Sequence, residues 1–343
     1  MSGLTIRSAT CAAAVLLGTT FAISDANAVE GGGSNYLLGV RGPLAAFVPK
    51  PGVYLTNNVF YYDAGRDNLT PITDLVVGDI SAEALTNIAQ VTWVTDVKVL
   101  DGRLAFSGVL PYGNLEVGGN VLVPVPPFKI EQSDSLTALG DAALSAVLGW
   151  KHRDGDKFRA WSTYSTLFMP IGSYEVGRLA NMGKNRWALD LGGAYTMANF
   201  KGGREFSAVL GFTFNGENDD TNYDSGHEMH LEIAGKQYLP NHFSMGVVGY
   251  WNEQLTADSG GPAVLGDFKG RVFGIGPELS YQFTQSKTHP VTLDLRWYHE
   301  FDAKNRVEGD AVFFTFSVPL SIQQKPAPEQ DWSQPEGQAT TAP

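Results

Sequence analysis

Apolar and polar residues alternate strictly over many short stretches of the chain. From Glu205 to Asn215, Phe206, Ala208, Leu210, Phe212 and Phe214 fall on one parity and Glu205, Ser207, Gly211, Thr213 and Asn215 on the other, with Val209 the single apolar residue out of place. A period of two marks a β-strand with unlike faces, because successive side chains point to opposite sides of the sheet. The same pattern sets Val291, Leu293, Leu295 and Trp297 against Thr292, Asp294, Arg296 and Tyr298, and Trp187, Leu189, Leu191, Tyr195 and Met197 against Asp190, Gly192 and Thr196. Met229, Leu231 and Ile233 oppose His230, Glu232 and Lys236, while Val312, Phe314, Phe316, Val318 and Leu320 oppose Phe313, Thr315 and Ser317. A soluble sandwich alternates in the same way, so the pattern identifies the element and not its solvent.

Connection lengths separate the two. The chain predicts twelve strands, near 53–62, 83–98, 103–116, 139–151, 157–168, 186–198, 204–215, 227–239, 242–255, 271–284, 291–300 and 310–320. Short turns at 100–102, 152–156, 199–203, 240–241 and 285–290 alternate with longer loops at 63–82, 117–138, 169–185, 216–226, 256–270 and 301–309. Outer-membrane barrels keep short turns on the periplasmic rim and long loops outside, whereas a sandwich has no reason to. Both termini then lie on the periplasmic side, which requires an even strand count. The 268 residues from Val53 to Leu320 give about 22 per strand and connection, enough for tilted strands of about 10 residues. The expected fold is all-β: a transmembrane antiparallel up-and-down β-barrel of about 12 strands in the cell outer membrane.

The first 28 residues read as an address. Arg7 precedes an uncharged stretch from Ser8 to Ser24, and Ala26-Asn27-Ala28 supplies a small-x-small cleavage pattern, so a signal peptide ending at Ala28 is expected. The one cysteine, Cys11, lies inside it, which leaves the exported chain no thiol for a disulfide, a metal or a nucleophile. Beyond it no uncharged apolar run reaches the ~18 residues of a spanning helix. The net charge of −12, from 36 acidic and 24 basic residues, has the wrong sign for a nucleic-acid partner, and 43% hydrophobic residues exclude a disordered chain. A mean hydropathy of −0.10 looks soluble, but a barrel averages lipid-facing and lumen-facing residues to a similar value.

Aromatic residues gather toward strand ends, as girdles at the two membrane interfaces require: Tyr61, Tyr62, Trp93, Tyr112, Trp150, Trp161, Trp187, Tyr250, Trp251, Tyr281, Trp297 and Tyr298. Glycines within strands, such as Gly192, Gly211, Gly246 and Gly274, let a closed sheet bend and leave room inside it. Two segments fall outside the barrel. Residues 29–52, rich in Gly and Pro with Leu37, Leu38, Leu44 and Phe47, are either a lumen plug or a periplasmic leader, and residues 321–343, rich in Pro, Gln and Glu, are a disordered periplasmic tail.

Four long runs, LFMPIGSYEVGRLANMGKNRWALDLGGAYT, EFSAVLGFTFNGENDDTNYDSGHEMHLE, VGYWNEQLTADSGGPAVLGDFKGRVFGIGPELSYQF and EFDAKNRVEGDAVFFTFSVPL, closely resemble the bacterial family of meta-pathway phenol-degradation proteins. The resemblance extends from about Leu37 to Leu320. It implies an exported outer-membrane β-barrel and a transporter associated with catabolism of aromatic compounds, so that the expected partners are outer-membrane lipids and a small hydrophobic or aromatic solute. It names no site.

Chemistry is therefore sought in the lumen and loops. Asp190, Glu232, Lys236, Glu278, Asp294 and Arg296 hold the polar parity of their strands, where charge should face the lumen because lipid-facing charge is costly. They either form a constriction that orients a solute or a network that fills and stiffens the interior; filling is favoured, since an interior of this size must be filled or hydrated whatever passes. In GENDDTNYDSGHE, Asp220, Asn222 and Asp224 have the spacing of calcium-loop ligands, but Gly226 comes one place late and Leu231 stands where a bidentate Glu should be, so a solvated acidic loop is expected and no metal or cofactor. A barrel enzyme, such as a lipid or ester hydrolase, needs a nucleophile, a base and an orienting group. His227 and His230 point to opposite faces of one strand, and Ser225 with His227 lacks a third member, so no enzyme is expected. A structural barrel without transport is the other alternative.

Overall fold

The computed structural model describes residues 33–66, 70–72, 75–124, 127–260, 269–283 and 290–322. The expected signal peptide, the start of the 29–52 segment, most of the 285–290 turn and the tail beyond 322 lie outside the described residues. The main strands are β1 (Gly52–Arg66), β2 (Leu75–Val99), β3 (Gly102–Pro124), β4 in two pieces (Pro127–Leu139 and Ala142–Asp154), β5 (Lys157–Met169), β6 (Ala188–Asn199), β7 (Arg204–Asn215), β8 (Glu228–Tyr238), β9 (Phe243–Gln254), β10 (Arg271–Phe283), β11 (Val291–Lys304) and β12 (Glu308–Ile322). Each pairs antiparallel with its neighbours in sequence, and β12 pairs with β1, so the twelve close into an up-and-down barrel with no free edge across the membrane. No helix among the described residues is long and apolar enough to cross a membrane; strands do so.

Turn chemistry closes the periplasmic rim tightly. Leu100 and Asp101 both take positive φ, 49° and 62°, between β2 and β3, the left-handed pair whose twist suits a two-residue hairpin. At the opposite rim two expected loops are largely strand. Residues 117–138 continue β3 and β4 as a ribbon that pairs out to Pro124 and Pro127, and residues 75–82 of the expected 63–82 loop belong to β2, paired with β3 as far as Val76 and Leu122. Above the membrane a ribbon does not face lipid on one side and lumen on the other. The period-two contrast therefore fades while the backbone ladder continues. β4 is broken at Gly140-Asp141, where the Gly140 N–H donates to the Pro111 carbonyl at 3.0 Å.

The faces are those of a membrane barrel. On β7, Phe206, Leu210, Phe212 and Phe214 are 37–44% exposed on the outer wall, whereas Glu205, Ser207, Val209, Thr213 and Asn215 are buried inside. Aromatic side chains form two girdles on that wall. Trp251 stacks on Phe273 and Phe273 on Phe301 near the long-loop rim; Trp150 stacks on Trp161 near the other. On β1 the outward Tyr61 lies eight residues above Val53, the partner of Trp93, or roughly 20 Å along the axis for strands tilted ~40°, close to the ~25 Å height of an apolar belt. Three of the expected girdle residues are not on the wall. Tyr62, Tyr250 and Tyr298 sit one place from Tyr61, Trp251 and Trp297, so parity turns them into the lumen, where Tyr250 and Tyr298 are buried.

Candidate functional site

Residues 33–51 enter the lumen from the periplasmic end and rise along its wall. Near the bottom, Arg103 at the start of β3 donates to the Pro49 carbonyl at 2.8 Å. Higher up, the Ala46 N–H donates to Thr196 Oγ1 at 3.2 Å and the Leu44 N–H to Glu205 Oε1 at 2.5 Å. Arg296 on β11 then donates to the Gly39 and Val40 carbonyls at 2.6 and 3.1 Å, and the Tyr298 hydroxyl to the Gly39 carbonyl at 3.2 Å. Gly39 has φ +78°, and a Cβ there would come within 2.8 Å of the Tyr298 ring, so both its backbone and its surroundings require glycine. Tyr36 and Leu38 pack with lumen residues Phe60, Val248, Tyr250, Val272, Tyr298 and Phe313.

At the upper end of this segment is a buried polar cluster. His230 Nε2 on β8 lies 3.0 Å from Asp190 Oδ1 on β6, which also accepts from Thr213 Oγ1 at 3.1 Å. The Tyr164 hydroxyl on β5 is 3.5 Å from the same His230 nitrogen. The cross-strand pair Gly192 and Gly211 makes room for it: a Cβ on Gly211 would lie 2.3 Å from His230 Nε2 and 2.4 Å from the Tyr164 hydroxyl. The Tyr36 ring stacks on the His230 imidazole, centroids 3.6 Å apart and 16° from parallel, and its hydroxyl donates to Glu232 Oε1 at 2.8 Å. Glu232 Oε1 also accepts from the Gly39 N–H at 3.1 Å. The Arg41 guanidinium stands 3.8 Å over the Tyr164 ring. Burial first, and the Glu232 carboxylate second, raise the Tyr36 phenol well above its ordinary pKa, so that it remains a donor.

All six lumen candidates face inward, in three groups. Asp190 and Glu232 belong to this cluster. Lys236 Nζ lies 2.7 Å from Glu278 Oε1 and 2.6 Å from Ser280 Oγ. Asp294 Oδ1 is 2.8 Å from Arg296 Nε, the two-residue spacing placing both on one face. Sequence reasoning left out His230, although it shares the parity of Glu232, and Tyr36, Arg41 and Tyr164. The meeting of His230 and Tyr164 rests on the register that sets Gly192 opposite Gly211, which the sequence does not display.

The loops form a separate network. Asp258 accepts from the Tyr223 hydroxyl, the Gly226 N–H and Gln254 Nε2 at 2.6, 2.7 and 2.6 Å, and burial raises its pKa. Asp220 accepts from Asn185, and Asp224 sits in a short strand, Tyr223–Asp224, that pairs with Glu217–Asn218 and Ser259–Gly260. Among the described residues no three His, Cys, Asp or Glu side chains gather to hold a metal. Ser225 Oγ and His227 Nδ1 are buried and have no hydrogen-bond partner among the described residues, so they are not joined to each other as nucleophile and base.

The crystal structure of the COG4313 outer membrane channel from Pseudomonas putida F1 is similar with a TM-score of 0.61 and 14% identity, over 82% of this chain and 99% of that one. Weaker likenesses are OccK1 (OpdK) of Pseudomonas aeruginosa, with a TM-score of 0.32 and 11% identity over 78% of this chain and 98% of that one, and a Pseudomonas aeruginosa FadL homologue, with 0.33 and 13% over 81% and 92%. At these identities the first likeness is one of fold, and the other two carry no argument. No curated protein matches significantly. A family model described as "Putative MetA-pathway of phenol degradation" matches residues 64–316, most of the chain. The chain, a twelve-stranded outer-membrane β-barrel, belongs to that family.

Proposed function

We propose that the protein is an outer-membrane channel for small hydrophobic or aromatic, phenol-like solutes, linked to aromatic catabolism, with residues 33–51 as a removable plug. The observation that carries this is how the lumen is occupied: a separate segment is held on inward-facing side chains by hydrogen bonds such as Arg296 to Gly39 and Tyr36 to Glu232. Such contacts can be exchanged for water or solute without disturbing the strand ladders. The family description supports the link to phenol degradation, and the COG4313 relative, itself named a channel, supports passage. With the plug withdrawn, Asp190, Glu232, Lys236, Glu278, Asp294 and Arg296 line the path.

The protein is not an enzyme in this reading. Asp190 and His230 make an orienting group and a base, but among the described residues His230 Nδ1 has no hydrogen-bond partner, so no described hydroxyl is placed there as nucleophile. Liposome swelling, and uptake of a phenolic compound by cells with and without the protein, test the proposal. Phenolic flux that depends on the protein is expected. Equal uptake of many unrelated solutes would remove selectivity, and no flux would favour a structural barrel or an enzyme.

A further inference from the structure

Glu232 is 3% exposed, and both of its hydrogen-bond donors among the described residues, the Tyr36 hydroxyl and the Gly39 N–H, come from the plug. Among the described residues its second oxygen, Oε2, has no hydrogen-bond partner, and neither has Nδ1 of the neighbouring His230. If the plug leaves, a buried carboxylate loses both donors at once, which is unfavourable unless something replaces them. The imidazole face of His230 is uncovered in the same step, while Asp190 still holds the ring in place. A flat aromatic ring carrying one hydroxyl replaces the Tyr36 donor and the stack on His230 together, and leaves the place of the Gly39 N–H to water. The chain itself supplies such a group at this spot, since the side chain of Tyr36 is a para-alkyl phenol.

We propose that the place of the Tyr36 ring is a phenol-binding subsite, where a neutral phenol donates its hydroxyl to Glu232 and stacks on His230 in competition with the plug. This rests on the channel reading for how the solute arrives, but not for whether it binds. A phenolate does not fit, because it has no proton to donate to Glu232 Oε1 and would set two acceptors against each other. An aromatic hydrocarbon stacks but leaves the carboxylate without a donor. Discrimination between them follows the rule that a site built around a hydrogen bond rejects the isostere lacking it.

The test uses the full chain in detergent with Tyr36→Ala, which removes the internal phenol, and p-cresol, the tyrosine side-chain analogue, measured by titration calorimetry. The expected result is one saturable p-cresol site, at least tenfold tighter than in the native protein and at least tenfold tighter than toluene or 4-methylanisole. Adding Glu232→Gln should weaken p-cresol tenfold or more and leave toluene unchanged. Absence of saturable binding, or equal binding of p-cresol and toluene, overturns the proposal. Should Tyr36→Ala fail to fold, judged by heat-modifiable migration on gels, Tyr36→Phe keeps the ring but frees Glu232 Oε1 from the hydroxyl; p-cresol should then compete at least tenfold better than in the native protein, and no gain overturns the proposal. Liposome swelling separates the two claims. Flux without a saturable phenol site leaves the channel and removes the subsite, whereas binding without flux does the reverse.

Discussion

If residues 33–51 are a removable plug, Arg296 is one of its latches. It donates to two plug carbonyls, those of Gly39 and Val40, at 2.6 and 3.1 Å, and is itself buried. A hydrogen bond from a charged donor contributes about 1.5–3 kcal/mol net. Two such bonds are not fully additive, and the Tyr298 hydroxyl keeps one contact to Gly39, so a loss of about 3 kcal/mol is a fair measure for their removal. At about 1.4 kcal/mol per tenfold, this raises the ratio of released to seated plug roughly 150-fold. A plug released about 0.1% of the time, the low end for a minor state, would then be out for roughly a tenth of it. The variant is Arg296→Met combined with Asp294→Asn, so that the partner carboxylate is not left uncompensated beside it. Single-channel recording in planar bilayers reads the open fraction directly. Arg296→Lys, which keeps the charge but not the forked geometry, should give an intermediate value. An unchanged or reduced open fraction in an intact barrel would refute the latch, as would the same increase from Asp294→Asn alone.

Three further outcomes are expected. Gly211→Ala, whose Cβ would meet His230 Nε2 at 2.3 Å, should destabilise the barrel by about 1–3 kcal/mol and lower its gel-shift temperature, and Tyr164→Ala in the same chain should recover part of that; full additivity of the two would show that no space is shared. Lys236→Met strands Glu278, whose side chain is fully buried, at a cost of about 3–5 kcal/mol, while Lys236→Met with Glu278→Gln should be close to native in urea unfolding; a double variant as weak as the single one would refute the pairing. On the extracellular ribbon, the bidentate hydrogen bonds from Arg178 bring the Asp134 carboxyl down to about 2, and that carboxylate also accepts the Ala180 N–H. A lowered carboxyl contributes stability that is present above its unfolded value of about 4 and is lost as pH falls through the folded one. The loop should therefore resist pepsin at pH 4 and be cut at pH 2, and Arg178→Met should be cut at both; equal cutting of the native loop at both pH values would contradict the clasp.

The wall of this protein was legible in its sequence because the two faces of a strand meet opposite media. Phe206, Leu210 and Phe212 face lipid while Ser207 and Thr213 face the lumen, and the same contrast recurs on β5. The β3–β4 ribbon was not legible as strand because above the rim the contrast disappears although the ladder persists. Tyr62, Tyr250 and Tyr298 could have been assigned inward by counting from Tyr61, Trp251 and Trp297, so their misplacement came from reading composition where parity was available. Parity also turned Asp190, Glu232, Lys236, Glu278, Asp294 and Arg296 inward, and the two-residue spacing made neighbours of Asp294 and Arg296, but it could not say which side chains on different strands would meet. That depends on register around the barrel, such as the pairing of Gly192 with Gly211 that admits Tyr164 to His230.

The plug's contacts lay further out of reach, since Tyr36 and Glu232 are 196 residues apart and the segment carrying Tyr36 has no periodicity to announce a partner. Yet the chemistry of the lumen has a consequence for that segment. Glu205 accepts from the Leu44 N–H, Glu232 accepts from Tyr36 and Gly39, and Arg296 donates to Gly39 and Val40. Buried charges on three different strands thus exchange hydrogen bonds with one segment, because a carboxylate or guanidinium inside a narrow barrel must find partners. Opening the lumen means replacing those partners, and a wide-open polar channel would do so with water. If the place of the Tyr36 ring is a phenol subsite, a solute that is itself a phenol should replace that group better than water does.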